Sequence, residues 1–167
     1  MVEDFHPVAG KIVALLTERD VWFETYEHEP VRTSEEAAKV RPEYTLSEGG
    51  KALIVRAKYP GGEKGFVQVV VQGDKKVDVK KVKEVLSLKD IRFATEEEVG
   101  EITGGVLPGG VPPFGNLFDI PVLADEGIFQ SKKIIFNAGD RSFSIGMKSE
   151  DYRDIVKPKV ADIVVNE

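Results

Sequence analysis

Few residues in this chain are equipped for chemistry. Its 167 residues include no cysteine and only two histidines, His6 and His28. Thiolate nucleophiles, disulfides and cysteine-ligated zinc are thereby excluded. The "HEP" at 28–30 lacks the second histidine of a zinc-protease helix, and no metal site is expected. A serine–histidine–aspartate triad would need one of the two histidines beside a serine, and no GxSxG elbow is present. The chain concentrates backbone chemistry instead. "TGGVLPGGVPPFGN", Thr103 to Asn116, holds five of the 16 glycines and three of the nine prolines. Glycine lets backbone approach a ligand and take positive φ, whereas proline fixes φ and removes an N–H. A loop built this way presents selected amides and carbonyls. Fixed amides can stabilise a developing oxyanion with no side-chain nucleophile. The loop lacks the Gly-Lys-Ser/Thr of a P-loop and the spacing of a dinucleotide fingerprint, so no nucleotide cofactor is implied. The alternative is an irregular connection between a helix and a strand.

Lys51 is the second candidate. Along "KALIVRAK", strand parity puts Lys51 on the face of Leu53, Val55 and Ala57, while Ala52, Ile54, Arg56 and Lys58 form a more polar face. Gly49 and Gly50 leave room before it. A lysine on an apolar face either snorkels to the rim or meets an anion.

The elements that must position these groups follow from local pattern. Val8–Asp20 has helical apolar spacing, and "VWFETYEH" (21–28) alternates as a strand. Thr33 with Glu36 reads as a capping box for a helix that Pro42 stops. "KALIVRAK" and "GFVQVVVQG", joined by "YPGGEKG", read as a hairpin. Asp78 caps a helix striped by Val79, Val82, Val85 and Leu86. Thr95 and Glu98 open a short helix that Gly104 ends. "IRFA", "IPVLAD", "KKIIFNAG", "SFSIGMK" and "VADIVV" read as strands, and "SEDYRDIVKP" as a helix capped by Ser149. Without regular βαβ alternation, this order implies an α+β fold with a mixed, partly barrelled sheet.

Composition bounds the rest. The chain is 41% hydrophobic and 31% charged, which suits one globular domain spanning 1–167, with no linker or repeat. No apolar run approaches the ~20 residues that span a bilayer, and the acidic start is unlike a signal peptide. A cytoplasmic location is expected. The net charge of −6 argues against broad nucleic-acid binding. "KKVDVKKVKEVLSLK" (75–89) is the densest basic segment, and a solvated helix face explains it as well as a partner does.

Several ordered segments resemble the YbaK/prolyl-tRNA-synthetase-associated superfamily: "TYEHEPVRTSEEAA", "GGKALIV", "TGGVLPGGVPPFG", "IPVLAD" and "NAGDRSFSIGM". The resemblance runs from about Val21 to Val165. It implies a compact α+β domain with a barrel-like sheet of six or seven strands surrounded by helices. It implies hydrolysis of the ester joining a wrong amino acid to the acceptor end of tRNA, without a cofactor. Lys51 matches the family's near-invariant lysine. The loop matches the family's glycine-rich loop, so Gly109 and Gly110 become candidate catalytic amides. Thr103, Gly104, Pro108, Pro113, Phe114 and Gly115 become candidate substrate walls. Tyr26 matches a pocket tyrosine of some members, and Asn137, Gly139 and Ser144 match the opposite wall. The implied partners are mischarged tRNA and a tRNA synthetase. A non-catalytic binding module on the same pocket, or a structural partner of a synthetase, is the alternative reading.

Overall fold

The computed structural model describes residues 2–31, 33–41 and 43–166. The first helix, α1 (Pro7–Glu18), starts where His6 Nδ1 accepts the Val8 N–H, with proline in the first turn. Its Val8, Ala9, Ile12 and Leu16 are buried. Strand β1 (Phe23–Glu27) and helix α2 (Ser34–Val40) follow. Thr33 caps α2 through the Glu36 N–H, while Pro42 lies outside the described residues.

The expected hairpin forms between β2 (Gly50–Lys58) and β3 (Lys64–Gln72), in register from Gly50↔Gln72 to Lys58↔Lys64. Asp78 caps α3 (Val79–Leu86) by accepting the Lys80 and Lys81 N–H groups. After β4 (Asp90–Phe93), Thr95 and Glu98 make the full capping box of α4 (Glu96–Thr103), and Gly104 ends it at φ +73. The chain then runs through the glycine–proline loop into β5 (Val122–Asp125), β6 (Lys133–Asp140), β7 (Phe143–Lys148), α5 (Ser149–Val156) and β8 (Lys159–Ala161).

The fold is α+β with mixed pairing, but the strands divide between two sheets and close no barrel. Three strands, ordered β1-β7-β6, are antiparallel. Five, ordered β4-β2-β3-β5-β8, combine antiparallel pairs with the parallel pairs β3–β5 and β5–β8. Among the described residues, one isolated backbone bridge, Gly49↔Ile135, joins the two sheets. A Cβ on Gly50 would lie 2.7 Å from Ile134 Cδ1, so the glycine pair permits this crossing.

Three further expectations change. Ile54 is buried like Val55, because β2 has a core on each side; only Arg56 and Lys58 keep their face polar. Ser149 is the first residue of α5 rather than its cap; Lys148 holds the cap position without a side-chain bond, and Ser149 Oγ donates to the Ser131 carbonyl. The last strand also ends at Ala161, and Val164 makes only an isolated bridge to Val77.

The larger core gathers α1, α5 and both sheets around Phe114, Phe136 and Tyr152. The smaller lies beneath α3 and includes Val55, Val69, Val71 and Val82. Among the described residues no helix is long and apolar enough to cross a membrane.

Candidate functional site

A cavity of about 470 Å³ opens beside the junction of the two sheets. Lys51 comes to it from β2, Asn137 from β6, Arg41 and Tyr44 from the segment after α2, and Pro108, Gly109 and Val111 from the glycine–proline loop.

That loop is held by its carbonyl oxygens. Pro108 O accepts from Arg141 Nε at 2.9 Å and Nη2 at 2.6 Å. Gly109 O accepts from Asn137 Nδ2 at 2.7 Å, and Gly110 O from the Gly139 N–H at 2.8 Å. Gln68 Nε2 donates to Pro112 O at 2.9 Å while Gln68 Oε1 accepts the Gly115 N–H at the same distance. Tyr152 donates to Pro113 O at 2.6 Å. The Gly110 N–H closes a turn on Leu107 O at 2.9 Å. Among the described residues, the N–H groups of Gly109 and Val111 have no hydrogen-bond partner. At Pro108 and Gly109 the cavity-lining carbonyls are already engaged, whereas the Gly109 and Val111 N–H groups are open.

Lys51 reaches the Lys75 carbonyl, Nζ to O 2.7 Å. Partial burial pushes its ammonium below the ordinary lysine value, against the opposing pull of Glu35 and Asp74. Arg41 is buried, and desolvation brings its guanidinium down to about 10, with Tyr44 acting in the other direction. Its bonds go to neutral oxygens, Ala37 O at 3.2 Å and Ser144 Oγ at 3.4 Å. Among the described residues, Glu35 is the one carboxylate on the cavity wall, against three cations, Arg41, Lys51 and Arg141. Among the described residues none of the three forms an ion pair with a carboxylate.

A serine and a histidine do meet behind this wall. His28 Nε2 lies 2.7 Å from Ser144 Oγ, which lies 3.2 Å from Asn137 Oδ1. His28 Nδ1 faces the Glu29 carbonyl at 2.8 Å, so that nitrogen carries a proton. Ser144 Oγ donates its one proton to Asn137 Oδ1, so none is left for His28 Nε2. Ser144 is fully buried and does not line the cavity. With its proton on Asn137, and with a backbone carbonyl in place of an orienting carboxylate on His28, Ser144 supports Asn137 and is not a nucleophile.

A profile of the aminoacyl-tRNA editing domain matches residues 28–155. The chain belongs to the aminoacyl-tRNA editing domain family. The family's reaction is hydrolysis of the ester of aminoacyl-tRNA, and this domain is a hydrolase of that class. It is 29% identical over 153 residues to the multifunctional Ser/Thr-tRNA deacylase ProXp-y of Escherichia coli K12, covering 91% of this chain and 90% of that protein. Proline–tRNA ligase of Ralstonia pickettii is 29% identical over 147 residues, 83% of this chain but 24% of the ligase. Among solved structures, a hypothetical protein superposes with a TM-score of 0.79 at 28% identity, covering 93% of this chain and 99% of that one. A candidate trans-editing enzyme for prolyl tRNA synthetase has the same TM-score at 24% identity, covering 96% and 99%.

Within this editing domain, Lys51, Pro108, Gly109 and Asn137 line one cavity. Gly110 lies behind them, where a Cβ would come within 3.4 Å of the Asp140 backbone. Pro113, Phe114 and Gly115 are buried, Phe114 against Phe136 and Tyr152. Thr103 Oγ donates to Val99 O and accepts the Val106 N–H, which fixes the exit of α4. Thr103 and Gly104 line a separate hollow beside His6. Gly139, at φ +100, packs on Val8. Tyr26 stands outside the cavity, edge-on to Tyr44, its hydroxyl 2.9 Å from Glu24 and 3.2 Å from Glu43; burial and these carboxylates push its pKa up. Sequence reasoning missed Arg41, Gln68, Arg141 and Tyr152. "VRP" and "GDRS" carried the arginines in plain view, but no spacing ties them to the loop.

Proposed function

We propose that the domain removes a wrongly attached amino acid from the acceptor end of tRNA, acting in trans in the cytoplasm beside a tRNA synthetase. One observation carries this reading: in a chain of net charge −6, three cations stand around one cavity and, among the described residues, form no ion pair with a carboxylate. Such a cavity attracts an anion by focusing field. The terminal phosphate of tRNA is an anion that precedes the ester. The likeness to Ser/Thr-tRNA deacylase ProXp-y supports the reaction, and the likeness to one portion of proline–tRNA ligases supports the partner.

In this mechanism Lys51 holds the terminal phosphate. The ester carbonyl sits toward the Gly109 and Val111 amides. Water, or the neighbouring ribose hydroxyl, adds to the carbonyl carbon, and the oxygen becomes an oxyanion that the amides receive. One such donor contributes about 3–4 kcal/mol to the barrier reduction. Collapse breaks the bond to the ribose oxygen, which regains a proton, and the amino acid leaves. Attack by the ribose hydroxyl moves the acyl group to that oxygen, and water completes the release. Gly110 acts by holding the turn, since its N–H is closed on Leu107.

The test is single-turnover deacylation on a panel of mischarged tRNAs. Release above the spontaneous rate for at least one is expected. No release across the panel, or tRNA retained with its amino acid intact, overturns the reading.

A further inference from the structure

Arg41 is 6% exposed yet lines the cavity. A guanidinium has five N–H donors. Here one goes to Ala37 O and one weakly to Ser144 Oγ, while Nη2 has no partner among the described residues. A cation taken out of water without an anion is costly, and an apolar side chain would fill the same space without that cost. Lys51 is placed differently. It is half-buried and tied to the segment of Asp74, Lys75 and Lys76, whose first and last residues are exposed. That setting suits a phosphate on the outside of the protein. Arg41 sits among Ala37, Tyr44 and Ser144, all buried, where a phosphodiester chain cannot follow but an amino-acid side chain can.

We infer that Arg41 selects the amino acid to be removed, its open donors taking a side chain that brings an oxygen acceptor, a hydroxyl or a carboxylate, into the cavity. The inference rests on the deacylase reading above. Apolar side chains of equal size leave the Arg41 donors unpaired and are disfavoured. A site that hydrogen-bonds its substrate rejects the analogue lacking the polar atom far better than an apolar pocket separates two shapes.

The experiment compares one tRNA charged with threonine or with its near-isostere valine, and then with aspartate or leucine. For the wild-type protein, the kcat/KM for the oxygen-bearing member of at least one pair exceeds that of its partner by on the order of 100-fold. In Arg41→Met that ratio falls to about 10 or less, the oxygen-bearing substrate losing far more than the apolar one. The pair with the large ratio identifies the acceptor as hydroxyl or carboxylate. Circular dichroism and melting accompany each variant, and Arg41→Lys, which keeps one charge, serves if Arg41→Met does not fold. Wild-type ratios near one for both pairs overturn the inference. So does a variant that slows both members equally, which would assign Arg41 to the tRNA backbone or to the fold. Absence of release from every substrate sinks the deacylase reading instead.

Discussion

Asn137 donates to the Gly109 carbonyl at 2.7 Å, and its own amide oxygen lies 3.2 Å from the buried Ser144 hydroxyl. One side chain thus joins the loop to the interior of the β6–β7 pair, where the register shifts just after Asn137. The bond fixes the peptide plane beside the Gly109 amide. Asn137→Ala leaves the loop free to tilt, and a misplacement near 1 Å costs about 100-fold in rate. Loss of one hydrogen bond costs the fold about 1 kcal/mol. Asn137→Asp is expected to be at least as slow, because a carboxylate cannot donate to a carbonyl. Single-turnover rates read beside melting temperatures check both variants. An Asn137→Ala protein with unchanged turnover would separate loop orientation from catalysis.

Lys51→Ala should stay folded and lose about 100-fold or more in deacylation, as expected for an anchor of charge in a partly dried site. Burial lowers the pKa of Lys51 in the folded state below its ordinary 10.5, so the charged form is the less favoured one on folding. At neutral pH its removal therefore leaves melting unchanged or slightly higher. Stability from this group rises as pH climbs through the lowered pKa, while activity, which uses the ammonium, falls there. Lys51→Arg keeps the charge but spreads it over a wider plane, and it restores the rate only in part. Melting and turnover on the same preparations decide. An active Lys51→Ala protein refutes the anchor.

The elements were legible because each carries its own local signal. Asp78 and the Thr95–Glu98 pair cap helices where their spacing says they should, and the hairpin turns at "YPGGEKG". The supports of the loop were not legible. Gln68 lies in a run of valines and is fully buried, yet it grips Pro112 and Gly115 more than forty positions away. Arg41 meets Ser144 across a separation of 103 residues. Such bonds follow from the packing of both sheets, which no window of sequence contains. The split into two sheets was hidden for the same reason: one Gly49–Ile135 bridge looks, in sequence, like any other strand neighbour.

Gly139→Ala should act on the fold first. Gly139 has φ +100, and a Cβ there would stand 2.4 Å from Val8 Cγ1. Backbone strain of this kind costs on the order of 1–3 kcal/mol before the overlap with α1 is relieved. The Gly139 N–H also holds Gly110 O, so activity falls along with stability. Urea denaturation and turnover should therefore decline together. A variant of native stability would mean that α1 shifts freely, against its packing on β6.

Glu98 gives the pH test of the fold, away from the cavity. Its carboxylate meets Arg92 at 2.7 and 3.0 Å and Arg56 at 3.6 Å, and it closes the capping box by accepting the Thr95 N–H at 2.9 Å. The Arg92 hydrogen bonds, then the Thr95 backbone, pull its pKa from the ordinary 4.5 to about 2. A folded-state pKa below the unfolded one contributes stability that is present above the unfolded value and disappears as pH falls through the folded value. The stabilisation from Glu98 is thus intact at neutral pH, declines below pH 4.5 and is gone below about 2. Glu98→Gln keeps the acceptor of the capping box but not the charge. The variant should melt below the wild type at pH 7, with the gap closing as the pH approaches 2. Turnover at pH 7 should change little, because Glu98 does not line the cavity. A gap that persists undiminished at pH 2 would assign the loss to packing of the helix start rather than to the carboxylate.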